Sequence, residues 1–143
     1  MDPGRIAGRR ATCFLLLAGM CAAGCRPDGR VTVEGTVRYR DGAPVARGVV
    51  RFEGQTRSGH AAIRPDGRYV ISGGGAGPGL LPGRYAIVVD NTAEPPVWDE
   101  RRNAYVHGKP LVDPRYASPS TSGLECTVSA PLVFDIVVDR PPE

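Results

Sequence analysis

The chain is poor in aromatic side chains and in residues that bind metals or act as catalytic bases. Phe, Trp and Tyr make up 6% of its 143 residues, and histidine occurs twice, at His60 and His107. These two residues form no cluster of metal-ligand spacing with Cys126 or with the carboxylates. Cys126 alternates in phase with Leu124 and Val128, so we expect it to face a core as an inert thiol. The sequence therefore predicts no metal site, no cofactor and no catalytic activity.

Long helical stretches are also missing, because residues that break helices recur along the whole chain. Gly and Pro number 19 and 14, about a quarter of all residues. This content excludes a helical bundle and favours short strands joined by turns. A hydrophobic fraction of 41% in 143 residues fits one globular domain and leaves little room for a second.

No apolar run is long enough to span a bilayer, but the N-terminus has the pattern of a secretory signal. Residues 11–25 carry no charge and follow a leader that contains three Arg. A membrane-spanning helix needs about 20 residues, more than this segment offers. The basic leader, the short apolar segment and the small residues before Cys25 predict a signal peptide over residues 1–24. The alternative, a short buried helix, gives the basic leader no role.

The residues around the predicted cleavage point indicate how the mature chain is held. Ala22–Cys25 reads Ala-Ala-Gly-Cys and resembles the lipobox of bacterial lipoproteins, whose signal is cut before a diacylglycerol-modified Cys. The resemblance implies lipidation of Cys25 and an extracytoplasmic chain anchored to the membrane, in the periplasm or at the cell surface. Plain secretion is the alternative, and Cys21 is a less suitable acylation site. A disulfide would require an unmodified Cys25 to pair with Cys126.

An excess of positive charge is absent once the signal peptide is removed. The formal net charge is +3, and residues 1–24 contribute +2 of it, which leaves +1. Of the 18 basic residues 17 are Arg, and they are spread without a basic stripe interleaved with aromatics. We therefore expect no nucleic-acid partner.

Apolar residues alternate with polar ones in most of the chain after a short tether at residues 25–30. A period of two is typical of half-buried strands. The alternating segments are residues 31–39, 49–53, 61–63, 69–71, 85–89, 124–128 and 132–138. Pro65-Asp66-Gly67 predicts a hairpin turn between the third and fourth, and the fifth is apolar enough to be central. About seven strands predict an all-β, two-sheet sandwich over residues 31–139, followed by a polar tail at 140–143.

Several turn and strand motifs resemble those of carboxypeptidase regulatory-like domains, which are transthyretin-like (prealbumin-like) folds. The motifs are Val33–Val37, Asp41–Val45, Gly48–Phe52, Pro65–Tyr69, Pro82–Tyr85 and Asp113–Leu124. Together with the lipobox, the last of them is similar to small lipoproteins of Planctomycetes. The resemblance implies a seven-stranded Greek-key β-sandwich with a non-catalytic accessory role at the cell envelope, and it implies no ligand. A transthyretin-like hydrolase is a disfavoured alternative, because those enzymes end in Tyr-Arg-Gly-Ser and this chain ends Arg140–Glu143.

One irregular segment, residues 91–122, carries aromatic side chains outside the strand pattern. It contains Trp98, Tyr105, His107 and Tyr116. Aromatic side chains on loops that a rigid sandwich supports are a common means of binding glycans or envelope proteins. The alternative is that they pack the loop against a sheet, and Tyr116 is expected to hold the loop in this way.

Overall fold

The computed structural model describes residues 29–73 and 77–143. Cys25, the predicted signal peptide and most of the tether lie outside these residues. The described chain is nearly all β, with two sheets on either side of one hydrophobic core and a separate two-stranded hairpin. The predicted all-β class is confirmed, and the two layers are consistent with a sandwich.

Twelve strands are defined within the described residues, several of them short. In chain order they are β1 (Val33–Tyr39), β2 (Val49–Glu53), β3 (Ser58–Ala62), β4 (Arg68–Val70), β5 (Ser72–Gly73), β6 (Gly77–Pro78), β7 (Gly83–Asp90), β8 (Val97–Asp99), β9 (Ala104–Val106), β10 (Leu124–Val128), β11 (Leu132–Val133) and β12 (Ile136–Val138). A 3-10 helix (Pro114–Ala117) and a short α1 (Pro119–Ser122) precede β10. The predicted strands at 31–39, 49–53, 85–89 and 124–128 are confirmed to within a few residues.

The first sheet is built around β1. β4 pairs antiparallel with one edge of β1, whereas β11 and β12 pair parallel with the other edge. The chain departs from the ladder between β11 and β12, where the amide of Phe134 donates to the carbonyl of Glu34 at 2.7 Å. The Phe134 carbonyl meanwhile accepts the hydroxyl of Tyr69 at 2.5 Å. This break in the last strand lies directly over Gly35, where a side chain would clash with Phe134.

The second sheet has the order β10-β7-β2-β3-β5-β6 and is antiparallel throughout. β7 pairs with β2 on one side and with β10 on the other, so the predicted central position of residues 85–89 is confirmed. This position explains the composition of the strand, because Ile87, Val88 and Val89 are all buried.

The two sheets meet through a small group of aromatic rings. The ring of Phe52 lies 6.2 Å from those of Tyr69 and Tyr85 and 6.5 Å from that of Phe134, centroid to centroid. Tyr69 lies in the first sheet and Phe134 lies between its strands β11 and β12, whereas Phe52 and Tyr85 belong to the second sheet. Valine and isoleucine side chains surround this group, including the predicted inward residues Val33, Val37, Val50, Ile63, Ile71, Val128, Ile136 and Val138.

The predicted hairpin around Pro65-Asp66-Gly67 is wrong in one respect. The turn forms, with Gly67 at φ +83° and its amide donating to the carbonyl of Arg64 at 2.8 Å. The flanking strands nevertheless belong to different sheets, because β3 pairs with β2 and β5 whereas β4 pairs with β1. β2 and β5 take the two edges of β3, whereas β4 crosses to an edge of β1, and the turn becomes a corner of the sandwich.

The strand registers place Val31 and the ends of segment 91–110 at opposite ends of the sandwich. Val31 pairs with Leu80 at the end where β1 begins. β1 finishes at Tyr39, whose hydroxyl donates to the carbonyl of Leu111 at 2.9 Å. Asp90 pairs with Val49 at this second end as well. Segment 91–110 therefore leaves and re-enters the sandwich at the end remote from Val31.

Candidate binding hairpin

The irregular segment contains a hairpin that the sequence did not predict. β8 and β9 pair antiparallel, with Trp98 opposite Tyr105 and Val97 opposite Val106. Side chains alternate along a strand, so each of these cross-strand pairs occupies its own face of the hairpin. Within the described ranges β8 and β9 pair only with each other, so neither belongs to a principal sheet.

The turn of the hairpin is formed by a side chain that binds its own backbone. Asp99 Oδ1 accepts the amides of Arg101 at 2.9 Å and Arg102 at 3.3 Å, and its other oxygen lies 3.5 Å from Nε of Arg102. Asn103 then adopts φ +46°, a left-handed conformation that Asn tolerates better than most residues. The segment Asp99–Asn103 thus reverses the chain without help from the sandwich.

The base of the hairpin is closed by a backbone contact that requires a glycine. The amide of Glu94 donates to the carbonyl of Lys109 at 2.9 Å. A Cβ on Gly108 would lie 2.8 Å from Cα of Glu94 and still closer to the Glu94 carbonyl. Pro95–Pro96 and Pro110 flank this closure and restrict the backbone on either side.

The hairpin exposes apolar side chains on both of its faces. Tyr105 is 69% exposed and Trp98 46%, and their rings form a T-shaped pair with centroids 5.1 Å apart. On the other face Val97 is 69% exposed and Val106 36%. These are the two strongly exposed aromatic side chains among the described residues. They are therefore the side chains most available to a partner.

The four predicted binding residues occupy two different places. Trp98 and Tyr105 form the T-shaped ring pair in the hairpin, and His107 is exposed immediately after β9. Tyr116 is instead buried in the core, and its hydroxyl donates to Asp139 Oδ2 at 2.9 Å. The expectation that Tyr116 holds the loop is confirmed, whereas Trp98 and Tyr105 do not pack on a sheet. Binding by the hairpin stays a prediction.

The carboxylate of Asp139, which follows β12, lies at the centre of a cluster of charged side chains. Its carboxylate forms ion pairs with Arg40 and Arg115, and its carbonyl accepts the amide of Asp113 at 3.0 Å. Hydrogen bonds from Arg40 and Tyr116 hold the pKa of Asp139 below its usual value. The cluster fastens the 3-10 helix to the ends of β1 and β12, and every charge in it is compensated.

Sequence reasoning did not single out Val97, Val106 or Asp139. The first two carried a usable signal, since the β-prone pairs Val97-Trp98 and Tyr105-Val106 flank a polar, turn-forming stretch. Asp139 carried none, because its partners lie about 24 or 99 positions away in the chain.

Residues of the types that commonly form catalytic or metal sites are scattered over the described part of the fold. His60 is exposed on β3, and Cys126 is buried on β10, where burial raises the pKa of its thiol. Across 29–73 and 77–143, His, Cys, Asp and Glu nowhere gather into a group of three that could hold a metal ion. Neither of the short helices in these ranges has the length and apolar content of a bilayer-spanning helix.

Comparison with known proteins gives one distant structural similarity. No family model and no curated protein matches the chain. A solved structure of a DUF3823 family protein from Bacteroides ovatus is similar, with 20% sequence identity and a TM-score of 0.43. The similarity covers 76% of this chain and 44% of that one, so the chain spans less than half of that protein's length.

Proposed function

We propose that this protein is a lipid-anchored, extracytoplasmic β-sandwich of the carboxypeptidase regulatory-like, transthyretin-like type with a non-catalytic binding role at the cell envelope. The observation that supports the proposal is that Val31 and the two points where segment 91–110 joins the sandwich lie at opposite ends of it. A chain held at its N-terminus would present this hairpin away from the membrane.

The dimensions of the chain fit such a role. Residues 26–30 separate Cys25 from Val31, the first paired residue, so the Cα atoms of these two residues can lie at most about 22 Å apart. The eight residues of β7 extend for about 27 Å between the two ends of the sandwich. The anchored domain would therefore stay close to the bilayer while the hairpin reached tens of ångströms beyond it.

The anchor is tested by the mass of the mature N-terminus in native membranes. We expect the chain to begin at Cys25 with the added mass of acyl chains and to fractionate with the membrane. Cys25→Ser should release or mislocalise the protein, whereas Cys21→Ser, the matched control, should leave it anchored. A mature chain that begins at an unmodified Cys25 and stays soluble would overturn the proposal.

A second candidate function is an accessory module that binds glycans or envelope proteins through its loop aromatics. The exposure of Trp98, Tyr105 and His107 favours it. A glycan array and a pulldown from the envelope fraction, each run with wild type and Trp98→Ala, provide the test. Equal binding by both chains would remove the hairpin from consideration.

A further inference from the structure

Two arginines line a cleft at the end of the sandwich where Val31 lies. Arg30 directly precedes Val31, the residue that pairs with Leu80. Arg57 directly precedes β3, in the turn that joins β2 to this strand. Both arginines line the same cleft, which has a volume of about 240 Å³, and Tyr85 forms part of its wall. The cleft is therefore basic and lies beside the residues through which the chain enters the fold.

Hydrogen bonds to the backbone position Arg30 and the turn that carries Arg57. Nη1 of Arg30 donates to the carbonyl of Gly79 at 3.4 Å. The carbonyl of Arg57 accepts the amide of Gly54 at 2.9 Å and closes the turn. A Cβ on Gly54 would stand 2.9 Å from the ring of Tyr85, so the turn lies directly against this ring. The cleft is thus built on the ends of β2, β3 and β7.

The described residues that line this cleft offer hydrogen-bond donors and include no carboxylate. Besides the two guanidinium groups they present the hydroxyl groups of Thr56, Ser58 and Tyr85. Burial raises the pKa of the Tyr85 hydroxyl, while the positive charges of Arg30 and Arg57 act in the opposite direction, so both charges lie near this group. Guanidinium groups bind phosphate oxygens well, because their donors match the geometry of the anion. The cleft therefore has the chemistry of a phosphate site.

Two carboxylates line the adjoining cleft, and each has an arginine partner. Glu125 forms an ion pair with Arg84, and Glu53 lies 3.7 Å from Nε of Arg51. Within residues 29–73 and 77–143, Arg57 has no ion-pair partner. Its charge is therefore available to an anion from outside the chain.

The distance from the predicted anchor indicates which phosphate reaches this cleft. Arg30 follows Cys25 by five residues, so the Cα atoms of these two residues can lie at most about 18 Å apart. Arg26 and Asp28, which lie between them, cancel in charge. A tether of this length supplies lipid headgroups to the cleft at an effective concentration of about millimolar or more. Anionic headgroups complement the charge of the two arginines, whereas zwitterionic headgroups do not.

We propose that the cleft between Arg30 and Arg57 binds the phosphate of an anionic lipid headgroup and thereby sets the Val31 end of the sandwich against the membrane. The acyl chains hold the protein in the bilayer, and the headgroup contact fixes the orientation of the domain on it. This inference rests on the proposed function, since it requires an acylated Cys25.

The contact is tested with the acylated chain, purified from membranes and reconstituted into vesicles. A fluorescent amino acid replaces Gln55, which is exposed in the same turn as Arg57, and the quencher is attached to lipid headgroups. Quenching then reports the ratio of docked to undocked domains. We expect this ratio to be at least about fivefold higher in vesicles that contain phosphatidylglycerol than in pure phosphatidylcholine. Equal quenching in the two kinds of vesicle would overturn the proposal.

Arg57→Gln removes one charge from the cleft, and Arg47→Gln is the matched control. Arg47 is also exposed and has no ion-pair partner among the described residues, but it lies two positions before Val49, at the opposite end of the sandwich. Arg57→Gln should lower the ratio of docked to undocked domains about fivefold, whereas Arg47→Gln should leave it unchanged. Equal ratios in the two variants would overturn the proposal.

Inorganic phosphate distinguishes a headgroup site from a site for a dissolved anion. Titrated into the detergent-solubilised chain, it should show no saturable binding below about 1 mM, because the tether supplies headgroups at an effective concentration that makes tight binding unnecessary. Saturation at a lower concentration would identify a site for dissolved phosphate and overturn the proposal.

The N-terminal mass, measured on the same preparations, separates this inference from the proposed function. An acylated chain whose quenching does not depend on lipid charge would refute the headgroup contact and leave the anchor intact. An unmodified, soluble chain would refute the anchor and, with it, the contact.

Discussion

The orientation of the hairpin should depend on Gly108, although this residue lies outside both principal sheets. An added Cβ at this position would stand 2.8 Å from Cα of Glu94 and closer still to the Glu94 carbonyl, so the two backbones must separate by about 1 Å or more. The separation breaks the hydrogen bond from the Glu94 amide to the Lys109 carbonyl, which is 2.9 Å long. Gly108→Ala therefore opens the base of the hairpin.

The free energy lost through Gly108→Ala is small relative to the stability of the sandwich but large relative to that of the hairpin. Loss of one backbone hydrogen bond and the accompanying strain amounts to about 1–2 kcal/mol. An isolated two-stranded hairpin is only marginally stable, so this loss lowers the ratio of closed to open hairpin by about 5- to 30-fold. The base of the hairpin lies outside both principal sheets, so we expect the midpoint of global unfolding by circular dichroism to stay within about 2 °C.

Trp98 makes the assay specific, because it is the one Trp in the chain and it lies in β8. Its fluorescence anisotropy should fall and its quenching by acrylamide should rise in Gly108→Ala. Gly83→Ala is the matched control, since a Cβ there meets nothing closer than 3.7 Å. The reasoning is refuted if Trp98 behaves the same in both variants, or if Gly108→Ala lowers the global midpoint by several degrees.

Three further predictions concern the sandwich itself. Gly35→Ala places a Cβ 2.6 Å from the carbonyl carbon of Phe134 and should lower the free energy of unfolding by about 3 kcal/mol in urea titrations; an unchanged midpoint would contradict this packing. A hydrogen bond from Arg40 is the largest cause of the lowered pKa of Asp139 in the folded chain. The Asp139 carboxylate therefore stabilises the fold fully above the ordinary aspartate pKa, and this stabilisation is lost as the pH falls through the lower pKa of the folded state. Asp139→Asn should flatten the decline of Tm below about pH 4, and parallel curves would count against the cluster. Cys126 is buried with a raised pKa, so iodoacetamide should modify it at pH 8 only after unfolding, and rapid labelling of the native chain would contradict its position.

The sandwich was predictable from the sequence where burial alone decides the side-chain pattern. In β1, Val33, Val37 and Tyr39 face the core while Glu34 and the residues that alternate with it face outward. A shift of one residue would expose this entire set, so the register follows from the pattern. The same logic identified Cys126 as a core residue and β7 as a central strand.

Sheet membership was not predictable from the same pattern. A local turn signal such as Pro65-Asp66-Gly67 gives the position of a reversal but does not show which strand edge is free to receive the chain. That choice depends on β1, which lies some thirty residues earlier and has an open edge at Thr36, the partner of Arg68. The cluster around Asp139 escaped prediction for the same reason, since each of its ion pairs joins distant parts of the chain.

The hairpin differs from the rest of the described chain in how it uses aromatic side chains. Aromatic residues are scarce, and the core uses Tyr39, Phe52, Tyr69 and Tyr85 to fill the space between the sheets. A chain with so few aromatic side chains nevertheless leaves Trp98 and Tyr105 in water, on a hairpin that closes through its own turn and its own base. Stability of the sandwich gives no reason for this arrangement, because the hairpin pairs with neither sheet. The binding role proposed above would account for it, since contact with a partner would remove from water the apolar surface that folding leaves exposed.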